Sequence, residues 1–154
     1  MSSLEEIKEK LPSDRQFRNA RNVIMMNMLI TNGQRTGAIR NMTCGEFRAA
    51  REEGSKVIIP VSSHKTAGSF VCQLVLDQSL KSELDVWFKA RNRFLMATLC
   101  HTASSDEDFL FCGNNGKQLA SNELARIARS GVGGTVIDMR KAQYHLVSCI
   151  FIAF

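Results

Sequence analysis

The chain has 154 residues, of which 44% are hydrophobic and 23% charged, and it carries a net charge of +5. That length suits one domain with a real core, and the composition is close to that of an ordinary soluble globular chain. The basic excess is mild, so it admits an acidic partner such as nucleic acid without requiring one.

In chain order, Ser2 to Asp14 reads as a charged lead-in with a short helix at Leu4 to Lys10, stopped by Pro12. Phe17, Ala20, Val23, Ile24, Met28 and Leu29 then recur at helical spacing, which predicts a long helix from Asp14 to Leu29. Asp14 is its expected N-cap, and Asn32-Gly33 its stop. Met25, Met26 and Met28 are expected as core filler rather than a binding surface. Thr43-Cys44-Gly45-Glu46 has the capping-box pattern and opens a second helix, expected to reach Glu52 and end at Gly54.

Lys56 to Ser63 and Phe70 to Leu76 are β-branched, apolar runs separated by the turn His64-Lys65-Thr66-Ala67-Gly68-Ser69. They predict an antiparallel hairpin, with Pro60 placing the first strand at or near a sheet edge. Asp77 caps a long amphipathic helix from Ser79 to Leu99, with Leu80, Leu84, Trp87, Phe88, Arg91 and Leu95 along one side. His101 to Asp108 is a polar, acidic loop. Phe109-Leu110-Phe111 follows as a short buried segment ahead of a Gly113-Asn114-Asn115-Gly116 turn. Ser121 is the expected cap of a further helix ending at Gly131, with Arg126 and Arg129 in its last turn. Beyond Gly131-Val132-Gly133-Gly134, either Thr135 or Asp138 could start a last helix through Arg140. The expected fold class is mainly α with a small antiparallel β-hairpin or sheet.

The five cysteines, Cys44, Cys72, Cys100, Cys112 and Cys149, are scattered, with no close pair of the zinc-knuckle or redox type. Cys100-His101 and Cys112 lack a fourth metal ligand, and the Gly131 to Gly134 run lacks the strand and spacing of a dinucleotide fingerprint. No metal and no cofactor are therefore expected. Met1 to Lys10 is charged and lacks the apolar core of a signal peptide, so an intracellular protein with reduced thiols is expected, nuclear if the source is eukaryotic. Leu146 to Phe154 spans nine residues where a membrane-crossing helix needs about 20, so no membrane partner is expected.

Three basic residues fall in distinctive places. Arg35 follows a glycine stop, Lys65 sits in the hairpin turn, and Arg140 follows a glycine-rich loop. Two arginines from distant parts of a chain can meet on one phosphate, each offering a planar fork of donors that matches its oxygens. A lysine at the same spot can deliver a proton or a point charge.

With these residues in that order, the chain resembles the catalytic domain of tyrosine recombinases, the phage-integrase superfamily. Leu29 to Ile39, with Arg35 two places after Gly33, resembles the family's first-arginine motif. Ile58 to Thr66, ending His64-Lys65-Thr66, resembles the hairpin with the catalytic lysine. Phe109-Leu110-Phe111 and its glycine turn resemble the segment ahead of the next helix. Ile137-Asp138-Met139-Arg140-Lys141 resembles the His-x-x-Arg motif of the second arginine. The likeness runs from Phe17 to Gln143.

It implies a tyrosine-recombinase-like fold and a metal-free phosphoryl-transfer site on double-stranded DNA. A homo-oligomer on DNA is among the arrangements it admits, and a mobile element is the implied origin. It makes Arg35 and Arg140 the phosphate clamp and Lys65 the general acid. The nucleophile is not identified. Ile137 stands where the family has histidine, and the one tyrosine, Tyr144, lies four residues after Arg140 rather than on a separate, later helix. The apolar run from His145 to Phe154 does not resemble the family's continuation and is expected to replace its tyrosine-bearing helices; the alternative is a hydrophobic plug that packs on its own domain or on a partner.

The expected organisation is a lead-in over 1–14, a recombinase-like catalytic domain over 15–143, incomplete at its C-terminus, and an atypical tail over 144–154. The expected function is that of a DNA-binding, recombination and integration-type domain unable to cleave DNA on its own. The alternative is a non-enzymatic basic helical module that binds DNA or a protein.

Overall fold

The computed structural model describes residues 10–33, 36–62, 71–99 and 105–131, with backbone alone over 128–131. The expected helix at Leu4 to Lys10 and the one leading to Arg140 lie outside the described residues.

Helix α1 runs from Asp14 to Asn32. Its N-cap is Ser13 rather than Asp14: the Ser13 hydroxyl accepts from Gln16 N, and the Gln16 side chain returns to Ser13 N at 2.9 Å. Asp14 is instead the first helical residue, where its charge complements the positive end of the helix dipole. The stop is Gly33, whose φ of 60° is left-handed, and its N–H donates to Leu29 O at 3.1 Å. Two short helices follow, α2 (Thr36–Asn41) and α3 (Cys44–Arg48). The sequence reading had no place for α2, which is too short to show a period, and it overextended α3. The Thr43–Glu46 capping box forms as expected, but the helix ends at Arg48, and Arg51–Glu53 becomes strand β1.

Strands β2 (Lys56–Val61) and β3 (Cys72–Asp77) form the expected antiparallel hairpin, in register from Lys56↔Asp77 to Val61↔Cys72. β1 pairs on the other side of β2, through Gly54 at φ +62°, so β2 is the central strand in the order β1-β2-β3. The edge expectation for Pro60 holds only locally. β1 reaches no further than Ile58, so Pro60, which has no N–H to give, lies beyond the part of β2 that β1 covers. In β3 the strict alternation buries Leu74 and Leu76 and exposes Gln73 and Val75.

Helix α4 (Gln78–Leu99) starts as expected, with Asp77 Oδ1 accepting from Leu80 N at 2.7 Å. It lies along α1, and the core sits between these helices and the inner face of the sheet. Phe17 stacks on Phe94 at 4.1 Å between centroids and tilts against Trp87 at 4.8 Å. Such pairs contribute about 0.5–1.5 kcal/mol each beyond their burial.

Residues 105–120 run across this core without regular structure. Leu110 and Phe111 are fully buried, and isolated bridges tie Phe109 to Thr43 and Cys112 to Gln118. The Gly113–Gly116 turn closes with Gly116 at φ +73°. Helix α5 (Glu123–Gly131) packs on α1 and α2. Its first i−4 bond runs from Arg126 N to Asn122 O, which puts Asn122 rather than Ser121 at the cap position and Arg126 in the first turn rather than the last. The architecture is the expected one, mainly α with one small antiparallel sheet.

Candidate functional site

Arg35, Lys65 and Arg140 all lie outside the described residues, as do Ile137, Tyr144, His64 and His145. The structure does describe the elements from which their segments leave.

Arg35 lies in the two-residue junction between Gly33 and Thr36. On the near side, Asn32 fixes the end of α1. Its Nδ2 donates to Met28 O at 3.0 Å, and its Oδ1 accepts from Val75 N of β3 at 2.6 Å. On the far side, α2 is pinned by buried Ala38 and Ile39. An asparagine at a helix end is commonly a turn residue. Here it also satisfies a backbone donor of β3 and so joins α1 to the sheet.

Lys65 belongs to the connection between β2 and β3. The ladder ends at Val61↔Cys72, and the next amide, Ser62 N, donates to Glu46 Oε1 at 2.7 Å. The other oxygen, Glu46 Oε2, accepts from Thr43 N at 2.9 Å. One carboxylate thus serves both the α3 cap and the stem of the lysine-bearing connection.

Arg140 follows α5, whose attachment is electrostatic as well as apolar. Leu124 and Ile127 are buried against the core. Arg21 of α1, 3% exposed, donates from Nη2 to Glu123 Oε1 at 3.3 Å and from Nη1 to Cys112 O at 3.0 Å. Burial lowers the Arg21 guanidinium from its ordinary pKa, an effect that the Glu123 charge opposes, and the group stays protonated. Hydrogen bonds from Arg126, at 2.7 and 3.1 Å, hold the Glu123 carboxyl below the ordinary carboxylate value.

A second buried arginine does similar work from α4. Arg91, 1% exposed, donates through Nε and Nη2 to Phe109 O at 3.1 and 2.9 Å, while Trp87 Nε1 reaches Leu110 O at 3.3 Å. These donors fix a stretch of backbone that no strand pairs continuously. The sequence reading placed Arg91 on this side of α4 but overlooked Arg21. It counted Val23 on the buried side of α1, whereas Val23 is 43% exposed. The spacing of Phe17, Arg21, Ile24 and Met28 was the available signal, since an arginine on an apolar stripe must be paired inside.

The thiols described are poor nucleophiles. Burial pushes Cys44 up to about 11 and raises Cys72 and Cys112 as well, so all three are protonated at neutral pH. Cys100 and His101 lie outside the described residues. Among the described residues, no group of three or more histidines, cysteines or carboxylates is placed to hold a metal ion. Nor is any helix there long and apolar enough to cross a membrane.

The three connections therefore leave from elements that pack on one another. α1 holds β3 through Asn32, and α5 lies on α1 and on α2, the helix that follows Arg35. Known structures resemble this chain in overall fold. The chain is similar to the XerH site-specific recombinase bound to a palindromic difH substrate in a post-cleavage complex, with a TM-score of 0.53 and 19% identity. That match covers 86% of this chain and 34% of the recombinase. It is also similar to XerH bound to difH in a pre-cleavage complex, with a TM-score of 0.50, 17% identity, and coverage of 86% and 35%. The fold is tyrosine-recombinase-like. The chain spans about a third of the length of those recombinase chains. No protein-family model matches the sequence, and no curated protein matches it.

Proposed function

We propose that this chain is a DNA-binding domain of the recombination type, in which Arg35 and Arg140 clamp one backbone phosphate and Lys65 stands beside its leaving oxygen. The observation that carries this reading is the fold likeness over 86% of the chain to a recombinase whose structures hold its DNA substrate before and after cleavage. The places of the three basic residues support it. Arg35 is at the α1–α2 junction, Lys65 is between the paired strands, and Arg140 follows α5. The partner is double-stranded DNA, and no metal enters the chemistry.

The division of labour follows from the side chains. A guanidinium keeps its charge and presents several donors in a plane, so two of them neutralise charge building on non-bridging phosphate oxygens. A lysine ammonium can give its proton to a departing 5′ oxygen. No residue of these 154 is assigned as the nucleophile. Tyr144, the one tyrosine, falls four residues after Arg140 and would neighbour it on a shared helix instead of approaching the phosphate from a separate one. The chain is accordingly proposed to bind DNA without completing strand cleavage.

A nicked suicide duplex, which traps any covalent protein–DNA intermediate, tests the last point. No covalent product is expected from the wild-type chain. A covalent product that disappears in Tyr144→Phe would overturn the proposal that cleavage is lost.

A further inference from the structure

Both capping boxes among the described residues use a residue three places into the helix, but they differ in what its side chain is seen to hold. Gln16 of α1 turns back on Ser13, accepting from Ser13 N at 2.9 Å and Ser13 Oγ at 3.0 Å. Glu46 of α3 divides its two oxygens, taking Thr43 N at 2.9 Å and Ser62 N at 2.7 Å. The helix end would be capped by the first of these bonds alone. The second is a charge-assisted bond across 16 residues of chain, made at the first amide beyond the β2–β3 ladder. Glu46 is itself half-buried, and Cys44 and Phe47 of the same short helix are buried core residues.

We infer that Glu46 is a positioning residue for Lys65: by fixing Ser62 to the α3 cap, it sets the point from which the lysine-bearing connection leaves the sheet. This rests on the reading of Lys65 as a phosphate-facing residue. The chemistry needs a carboxylate. A glutamine keeps the capping box, because it is an accepted partner at that position. Its side chain has one accepting oxygen and an NH2 group that only donates, so it cannot take Thr43 N and Ser62 N on separate oxygens. The effect of Lys65 on DNA should therefore depend on the residue at 46.

The experiment is a set of double-mutant cycles on the full chain, with a duplex oligonucleotide as probe and a thermal melt of each variant as the folding control. In the wild-type background, Lys65→Ala should weaken binding by at least about threefold at about 0.1 M salt. In Glu46→Gln, the same substitution should change affinity by less than about 1.5-fold, because the lysine is no longer held at the phosphate. Ser62→Pro removes the donor without touching the carboxylate or the net charge, and it should reduce the Lys65 effect in the same way. It also supplies the test should Glu46→Gln fail to fold. Thr43→Ala weakens the cap and leaves Ser62 bonded, so it should lower the melting temperature and keep the full Lys65 effect. An undiminished Lys65 effect in Glu46→Gln or Ser62→Pro would overturn the positioning role while leaving Lys65 as a DNA contact. A Lys65→Ala variant that binds like the wild type would overturn the reading beneath it as well.

Discussion

The arginines on the helical stripes and the basic residues in the connections are read as opposite uses of the same charge. Arg21 and Arg91 point inward, and their donors go to Cys112 O, Phe109 O, Glu123 and the neighbouring Asn22 and Asn92. They hold residues 105–120 and α5 in place. Arg35, Lys65 and Arg140 belong to the segments that join or follow those elements, where their charge is proposed to meet a phosphate. The contrast teaches that position in the pattern, rather than residue type, separates a structural arginine from a candidate phosphate ligand. An arginine at core spacing within a helix must find acceptors inside, whereas one just after a helix stop does not.

The largest effect should come from Arg91→Ala, which empties a fully buried site and strips both donors from Phe109 O. The loss should be about 3–5 kcal/mol in urea unfolding, from the cavity and the orphaned carbonyl together. Arg91→Lys should recover only part of it, since an ammonium cannot reproduce the fork. A cost below about 1 kcal/mol would break the contrast, because surface substitutions cost that little. Arg21→Ala should cost less, about 2–3 kcal/mol, because Glu123 keeps Arg126 as a partner.

A smaller, pH-dependent effect should isolate Glu123. Its carboxyl is held below the ordinary value in the folded chain, chiefly by the Arg126 hydrogen bond, so the folded state binds that proton less readily than the unfolded state. The stabilisation is then fully present above the ordinary carboxylate value and is lost as pH falls through the depressed one. Acid unfolding of the wild type should steepen below about pH 5 relative to Glu123→Gln, while the two curves run parallel near neutrality. Identical acid limbs would show that the Glu123 network contributes nothing to how α5 is held.

Much of this framework was legible in the sequence for local reasons. The α1 stop, the Thr43–Glu46 box, the β2–β3 hairpin and the Asp77 cap are each written in a few adjacent residues whose chemistry admits one local conformation. The errors have the opposite character. Arg51–Glu53 is a polar run next to a helix, and it becomes a strand only because β2 offers its free edge from Lys56 to Ile58. Val23 carries an apolar side chain at a plausible helical position, yet it lies on the side of α1 away from the core while charged Arg21 lies within it. Glu46 was readable as a cap, but its bond to Ser62 was not, because nothing local to residue 46 reveals which amide will arrive 16 residues later. Contacts made outside each residue's own segment decided each of these.

The candidate site divides in the same way. Its residue types and their order along the chain could be read from the sequence. Where the described structure bears on them, it is through the roots of their segments: Asn32 on β3, Glu46 on Ser62, and α5 on α1 and α2.

Arg35 and Arg140 are proposed to hold one DNA phosphate together. Binding of a duplex oligonucleotide by the wild type, Arg35→Ala, Arg140→Ala and the double variant, followed across salt concentration, tests it most directly. The double variant should bind at least about tenfold more weakly, with a salt dependence shallower by about 0.9, the value for one phosphate contact. Each single variant should account for most of that loss, because both side chains serve the same group. All four should melt alike if the loss of affinity is a loss of phosphate contact and not of fold. A double variant that binds with the affinity and salt dependence of the wild type would contradict the account.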